Sequence, residues 1–159
     1  MTLQVLPFHP DSKPKSACTA LQLEDLWDRH GTSVYTLACA LLGDETAAAQ
    51  AVTLGMTDLA GSAGSASTND ARRCWARHVY WRSKECETSN TPRLPPAMVW
   101  LGQLTHLQRA CLALCLFGGH TRREAADLLD VPPTTAADLL TSGLREVKRL
   151  AAGGTAANA

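Results

Sequence analysis

The chain has 159 residues, 15 basic and 15 acidic residues, and a hydrophobic fraction of 45%. That length fits one domain or two very small ones. The hydrophobic fraction is too high for a disordered chain. The zero net charge argues against a basic surface over the whole protein. No apolar run reaches the roughly 18 residues of a membrane span, and the start lacks the pattern of a signal peptide, so we expect a cytoplasmic protein.

Alanine (25) and leucine (23) dominate the composition, and the apolar segments follow the helical period rather than strand alternation. We therefore expect an all-α fold of two small helical domains joined by a linker. The predicted parts are a flexible N-terminal arm at 1–19, a helical domain at 20–86, the linker at 87–96, a second domain at 97–150 and a flexible tail at 151–159.

In the first domain the sequence predicts three helices, at 21–42, 46–59 and 70–84. Gly43 suits the C-cap of the first helix, and Asp44 suits the N-cap of the second. A Gly- and Ser-rich loop at 61–69 follows, and Asp70 is expected to cap the third helix.

In the second domain we expect a short lead-in at 96–103 and helices at 107–117, 122–129 and 133–150. Thr121 and Glu124 have capping-box spacing, and Pro133 suits a first helical position. An eight-residue helix, a three-residue turn and an amphipathic helix have the spacing of a helix-turn-helix, whose second helix enters the DNA major groove. On geometry alone, ordinary helix packing remains the alternative. The residues placed to lock these two helices together are Ala125, Leu128, Val131, Ala136 and Leu140.

Residues 104–150 resemble the C-terminal region-4 domain of bacterial extracytoplasmic-function sigma factors. The resemblance is carried by Leu-x-x-Leu-Gln-Arg at 104–109, Phe-Gly-Gly at 117–119, Glu-Ala-Ala at 124–126 and Val-Pro at 131–132. In the first half, Leu-Trp-Asp-Arg-His-Gly at 26–31 and Leu-Leu-Gly-Asp at 41–44 resemble the opening of region 2 of the same family. The resemblance implies that region 2 binds the polymerase clamp and opens the −10 element, while region 4 reads the −35 element.

A basic and aromatic cluster in the third helix is the strongest nucleic-acid signal in the chain. Five positive charges occur without an intervening acid, and three aromatic residues lie among them. This combination is typical of surfaces that stack single-stranded bases and bind phosphates, although a solvated basic face with inward-turned aromatics gives the same pattern. The cluster consists of Arg72, Arg73, Arg77, Arg82 and Lys84, with Trp75, Tyr80 and Trp81.

The helix-turn-helix adds further candidates for DNA contact, namely Arg122, Arg123, Thr134, Thr135, Arg145 and Lys148. The positions where the family carries basic residues in its recognition helix are Ala137, Leu139 and Ser142 here. Asp138 adds a negative charge, and 133–144 contains no basic residue, so this helix gains little from phosphate neutralisation.

The polymerase-binding surface that the resemblance implies also departs from the family. The second helix of region 2 usually presents Asp, Gln and Glu to the clamp, where this sequence has Gln50, Thr53 and Leu54, followed by Met56. We take Gln50, Thr53, Leu54 and Met56 as the expected polymerase-binding residues.

These observations favour a sigma-factor-like regulator of transcription initiation that binds core RNA polymerase and promoter DNA, with an anti-sigma factor or another sigma-regulating protein as a further partner. The alternative is a protein-interaction module that keeps the scaffold and has lost promoter recognition. A neutral, apolar face expected around Ala136, Ala137, Leu139 and Leu140 favours that alternative.

No catalytic constellation or Gly-rich phosphate loop occurs in the sequence, so we expect no enzyme activity and no cofactor. Cys111 and Cys115, with His106 and His120 nearby, allow a third hypothesis, a thiol or metal sensor. Both cysteines lie in an apolar run, however, which favours small core residues over a metal site.

Overall fold

The computed structural model describes residues 20–61, 67–86, 94 and 96–155, and all regular structure within these ranges is helical. The predicted all-α fold is thereby confirmed. The predicted arm at 1–19 and most of the predicted linker lie outside the described residues. The elements are α1 (Ala20–Leu42), α2 (Glu45–Gly61), α3 (Thr68–Cys86), a 3₁₀ helix (Pro96–Gln103), α4 (His106–Leu116), α5 (Arg122–Leu129) and α6 (Pro133–Thr155). None of the described helices is long and apolar enough to cross a membrane.

Local capping signals determine most of the helix ends. Gly43 has φ 68°, as expected of a C-cap glycine, and the Asp44 carboxylate accepts the Ala47 N–H at 2.7 Å. Thr121 and Glu124 form the predicted capping box at the start of α5.

Several helix ends differ from the sequence expectation, most of them by one or two residues, and two of these differences have a clear cause. The α3 helix begins at Thr68, and its N-cap is Ser67, whose hydroxyl oxygen accepts the Asp70 N–H at 3.2 Å. Asp70 therefore lies within the first turn of the helix, where its carboxylate interacts favourably with the positive end of the helix dipole. At the other end of the chain, α6 continues past residue 150 to Thr155, because Ala151 and Ala152 are strong helix formers.

The first three helices pack around one buried indole. The Trp75 ring is 0% exposed, and its Nε1–H donates a hydrogen bond to the Val52 carbonyl at 3.0 Å, which joins α3 to α2. Its ring centroid lies 5.9 Å from that of Trp27 on α1. The ring approaches α2 closely because Gly55 has no side chain there.

In the second half, the Leu-x-x-Leu-Gln-Arg segment at 104–109 connects three elements. The buried Arg109 guanidinium donates to the Leu101 carbonyl at 3.2 Å, which holds the 3₁₀ helix against α4. The Gln108 side chain completes a capping box with Thr105 and also donates to the Ser142 hydroxyl on α6 at 3.0 Å.

The helix-turn-helix packing is as predicted. Ala125, Leu128 and Ala136 are buried between the helices, and Val131 and Leu140 pack against the same core. Asp130 closes α5 in the left-handed conformation, with φ 55°. The two halves also touch, since α1 contacts α4 and α3 contacts α5.

The close approach at Gly55 gives a test of this core. A Cβ at Gly55 would lie 2.6 Å from Trp75 Cδ1, and the ring is held in place by its hydrogen bond to Val52. Gly55→Ala should lower the free energy of unfolding by about 1–3 kcal/mol, despite the better helix propensity of alanine. Gly61→Ala is the matched control, because a Cβ at Gly61 meets nothing within 4 Å. Urea unfolding of both variants measures the difference, and equal stability of the two would contradict this account of the core.

Candidate nucleic-acid and polymerase interfaces

The outward face of α6 is mostly polar, although Leu144 is also exposed, at 52%. Its apolar positions (Ala136, Leu140, Gly143 and Val147) recur at helical spacing and face the core, as does Leu139. The apolar exposed face expected around 136–140 is therefore wrong, because the helical rotation turns most of those side chains inward. The residues exposed on the opposite face are Thr134, Asp138, Thr141, Arg145 and Lys148.

This outward face of α6 is uneven in charge. Arg145 and Lys148 occupy its C-terminal half, and Arg122 and Arg123 are exposed in the first turn of α5. In the N-terminal half, Thr134 and Thr141 flank the Asp138 carboxylate, while Thr135 is half-buried. Hydroxyl groups there can donate to or accept from base edges, whereas a carboxylate repels phosphates and accepts only from donors such as the cytosine amino group.

The aromatic residues of α3 divide between core and surface. Trp75 and Tyr80 are buried, so the base-contacting role expected of Trp75 does not fit its position. Trp81 is 50% exposed, and the Lys84 ammonium lies 4.6 Å from its ring centroid. Arg82 is also exposed and pairs with Glu85 at 2.8 Å. The C-terminal end of α3 thus offers an aromatic surface with cations beside it, the combination that stacks single-stranded bases.

The other three arginines of the cluster bind α5 or the turn before it. Arg72 donates to the Gly119 carbonyl at 3.1 Å, and its guanidinium lies 3.7 Å from the Glu124 carboxylate. Arg73 lies 3.3 Å from the Asp127 carboxylate, and Arg77 donates to the Asp127 main-chain carbonyl at 3.2 Å. We call this contact between α3 and α5 the arginine junction; sequence spacing gave no sign of it, because its partners are 47 to 54 residues apart.

Glu124 is ionised within the arginine junction. The Thr121 N–H, which it accepts at 2.8 Å, lowers the pKa of its carboxyl, and Arg72 adds to the effect. One carboxylate oxygen caps α5, and the other faces α3, where Asn69 also approaches it at 3.5 Å. The side chains of Arg72 and Glu124 are only 15% and 18% exposed, so this pair is screened less by solvent than a surface ion pair.

His120 lies buried beside the arginine junction with 4% exposure, and neither ring nitrogen has a hydrogen-bond partner among the described residues. Burial lowers the pKa of its imidazole from 6.5 to about 4. Arg72 and Arg73 on α3 and His30 on α1 contribute to this lowering of the pKa, whereas Glu124 on α5 opposes it. The ring is therefore neutral at physiological pH.

One of the predicted polymerase-binding residues, Thr53, lines a groove between α1 and α2. This groove has a volume of about 540 Å³, and its lining includes Trp27, Asp28, Tyr35 and Thr53. Gln50 and Leu54 are exposed on α2, whereas Met56 packs partly against the core. Residues 20–61 contain six acidic residues and one arginine, so the groove lies in an acidic surface.

Cys111 is buried at the contact between α4 and α6, where its thiol donates to the Ala136 carbonyl at 3.6 Å. Cys115, one turn later, is partly buried, and its interaction with the Cys111 side chain lowers its pKa. Within the described ranges no three His, Cys, Asp or Glu side chains are grouped to hold a metal ion.

No protein-family model matches the chain, and no curated protein matches it significantly. Among solved structures, it is similar to CnrH, an extracytoplasmic-function sigma factor, in a structure with the cytosolic domain of CnrY. The TM-score is 0.72 at 15% identity, and the alignment covers 85% of this chain and 90% of the CnrH chain. The chain therefore has an extracytoplasmic-function sigma-like fold.

The buried imidazole predicts a specific pH dependence of stability. Because the pKa of His120 is about 4 in the folded protein and near 6.5 when unfolded, the unfolded chain binds more protons between these pH values. The contribution of the neutral ring is complete above pH 6.5 and is lost as the pH falls towards 4, a loss of roughly 3 kcal/mol in all.

His120→Leu should remove most of this dependence while keeping an apolar side chain at the site. Urea unfolding at pH 7 and pH 4.5 measures the free energy of unfolding of His120→Leu and of the unmodified chain. His78→Gln is the control, because it removes a partly exposed histidine. If His120→Leu loses as much stability as the unmodified chain between these pH values, a group other than His120 causes the pH dependence.

Proposed function

We propose that this chain is a sigma-factor-like regulator of transcription initiation that acts in the cytoplasm and binds core RNA polymerase and promoter DNA. The observation that carries the proposal is the helix-turn-helix of α5 and α6, which presents an exposed polar face within an extracytoplasmic-function sigma-like fold. Fold similarity alone does not fix a function, so the proposal depends on these surface residues.

Duplex DNA would lie against the outward face of α6. Arg122, Arg123, Arg145 and Lys148 are positioned around that face to neutralise phosphates, which would set the register of the complex. Thr134 and Thr141 would then face base edges, where hydroxyl groups give modest selectivity. Since Asp138 lies between them, we expect duplex binding to be weak.

Single-stranded DNA would bind the C-terminal end of α3. Trp81 supplies an exposed stacking surface, and Arg82 and Lys84 supply charge beside it. Stacking on an aromatic side chain contributes about 1–3 kcal/mol per base and tolerates many sequences. This surface would serve an opened promoter strand.

Core RNA polymerase would bind the groove between α1 and α2 through a helix with basic and apolar side chains. The surrounding acidic surface favours such a partner, and the partly exposed Trp27 gives it an apolar contact. CnrH was determined with the cytosolic domain of CnrY, and we propose an anti-sigma partner of this kind here as well.

The second candidate function is an interaction module that has lost promoter recognition. The absence of basic residues from 133–144 and the exposed Asp138 favour it. Promoter-directed run-off transcription separates the two candidates, with DNA fragments recovered from the complex of chain and core enzyme as templates.

A sigma-like factor should give discrete run-off transcripts that need both the chain and core enzyme. For the binding step, Thr53→Arg should abolish retention of core polymerase on the immobilised chain without DNA, since it places a cation and bulk in the groove. Thr141→Arg is the matched control, because Thr53 and Thr141 are both exposed and both donate to the carbonyl four residues earlier. Equal retention of both variants would exclude this groove, and absence of any transcript would favour the interaction module.

Replacing the negative charge on the outward face of α6 by a positive one should increase the affinity for duplex DNA. We expect Asp138→Lys to raise the affinity of the full chain for duplex DNA by about 1–3 kcal/mol if the new side chain reaches a guanine. Glu24→Lys makes the same charge change on exposed α1 and is the control for net charge. Fluorescence anisotropy measures both, and an equal gain in the two variants would show that the outward face of α6 does not contact DNA.

A further inference from the structure

The groove between α1 and α2 has the size and the lining of a small-molecule site. Its volume of about 540 Å³ falls in the range of ligand pockets, and two partly exposed aromatic side chains, Trp27 and Tyr35, line it. Gly31 lines it as well, and a Cβ there would lie 3.0 Å from Trp27 Cδ2. The absence of a side chain at Gly31 therefore lets the indole lie close to α1.

Two of the polar groups that line the groove can only accept hydrogen bonds from a ligand. Asp28 is exposed and forms no ion pair with a described residue, so its carboxylate is available. The Thr53 hydroxyl donates its hydrogen to the Ala49 carbonyl at 2.9 Å, which leaves only the lone pairs of its oxygen for a ligand. A ligand that matches both groups must therefore supply hydrogen-bond donors.

The charges around the groove favour a cation. Residues 20–61 contain six acidic residues and one arginine, and this Arg29 is paired with Asp25 at 2.8 Å. None of the described residues that line the groove is basic, so no cation neutralises Asp28 from within it. The exposed indole of Trp27 adds to the attraction, because tryptophan is the best aromatic partner of a cation.

The spacing of the two aromatic rings selects among organic cations. Trp27 and Tyr35 are eight residues apart on α1, or about 12 Å along the helix axis, so one cationic centre does not contact both rings. A quaternary ammonium, which is bound in a cage of several rings, is therefore a poor match. A guanidinium is planar, stacks on one aromatic face and carries only donors, two of which pair with a carboxylate. Trp27 and Asp28 supply that face and that carboxylate.

We propose that the groove between α1 and α2 is a binding site for a small organic cation that consists of a guanidinium group joined to an apolar body. The guanidinium would stack on Trp27 and donate to Asp28 and Thr53, while the body would lie along the groove towards Tyr35. This site goes beyond the proposed function, because it requires neither polymerase nor DNA. Only its consequence rests on that function: a ligand in the groove would exclude the polymerase helix proposed to bind there.

Three probes of similar shape test the chemistry of the ligand. 2-Phenylethylguanidine carries the expected cation and an aromatic body. 2-Phenylethylurea has nearly the same shape without the charge, and 2-phenylethyltrimethylammonium has the charge without N–H donors. Isothermal titration calorimetry with the full chain measures the dissociation constant of each probe. The shift of the Trp27 indole N–H signal in an NMR titration locates the site.

Asp28→Asn and Thr53→Arg test the site in the protein. The first removes the carboxylate charge and keeps the shape of the side chain, and the second places a tethered guanidinium in the groove. Glu24→Gln is the control for lost negative charge, because Glu24 is exposed one turn earlier on α1 and does not line the groove. Thr57→Arg is the control for added charge, because Thr57 is also exposed on α2 and donates to the carbonyl four residues earlier.

We expect 2-phenylethylguanidine to bind the unmodified chain with a dissociation constant of about 0.1–1 mM, as is usual for a ligand of its size. Asp28→Asn should weaken this binding about three- to tenfold, and Glu24→Gln less than about twofold. Thr53→Arg should abolish it, whereas Thr57→Arg should not. Equal binding of either other probe, no effect of Asp28→Asn, or no binding at all would overturn the proposal.

A competition experiment separates this site from the proposed function. Excess 2-phenylethylguanidine should release core polymerase from the immobilised chain, and 2-phenylethylurea should not. If the guanidine binds the groove and polymerase retention is unchanged, the ligand site stands and the assignment of polymerase to this groove fails. If Thr53→Arg abolishes polymerase retention and no probe binds the unmodified chain, the ligand site alone fails.

Discussion

The Glu124 carboxylate links the local and the long-range structure of this protein. One oxygen caps α5, which sets where the first helix of the helix-turn-helix begins, and the other faces Arg72 and Asn69 on α3. The same side chain therefore fixes a helix end and joins the two halves. Because the capping bonds hold the carboxylate in place, its interaction with Arg72 requires little further loss of side-chain entropy.

The charges of the chain are separated in a way that its zero net charge conceals. The surface of α1 and α2 is acidic, α3 is basic, and α5 carries the acids that meet α3. The basic helix is thus partly neutralised by the chain itself. A charge balance over the whole sequence cannot distinguish this arrangement from one with separate, available surfaces.

The α6 helix shows how the packing face and the outward face of one helix are specified separately. Ala136, Leu140 and Val147 hold α6 against the core at helical spacing, and the outward positions are free to vary. In this chain those outward positions carry threonines and Asp138 ahead of Arg145 and Lys148. Core positions can keep a fold while outward positions change, which is consistent with a sigma-like fold at only 15% identity to CnrH.

The sequence by itself determined the helices, their order and most of their ends. The relevant signals are local, because the helical period and capping side chains such as Asp44 and Thr121 act within four or five residues. The expected cap at Asp70 was wrong by three residues, since Ser67 has the same capping chemistry and precedes it. The packing of the helix-turn-helix was also predictable, because its apolar positions follow directly from helix geometry.

Only the tertiary structure decided which side chains of α3 are buried, which are paired with other residues and which are exposed to solvent. Trp75 and Trp81 look alike in the sequence, yet one is enclosed by α1 and α2 while the other faces solvent. Arg73 and Arg82 are likewise similar, but Arg73 meets a carboxylate 54 residues away. Whether a basic or aromatic side chain is buried, paired or exposed depends on which distant helix packs beside it, and no local period or spacing carries that information.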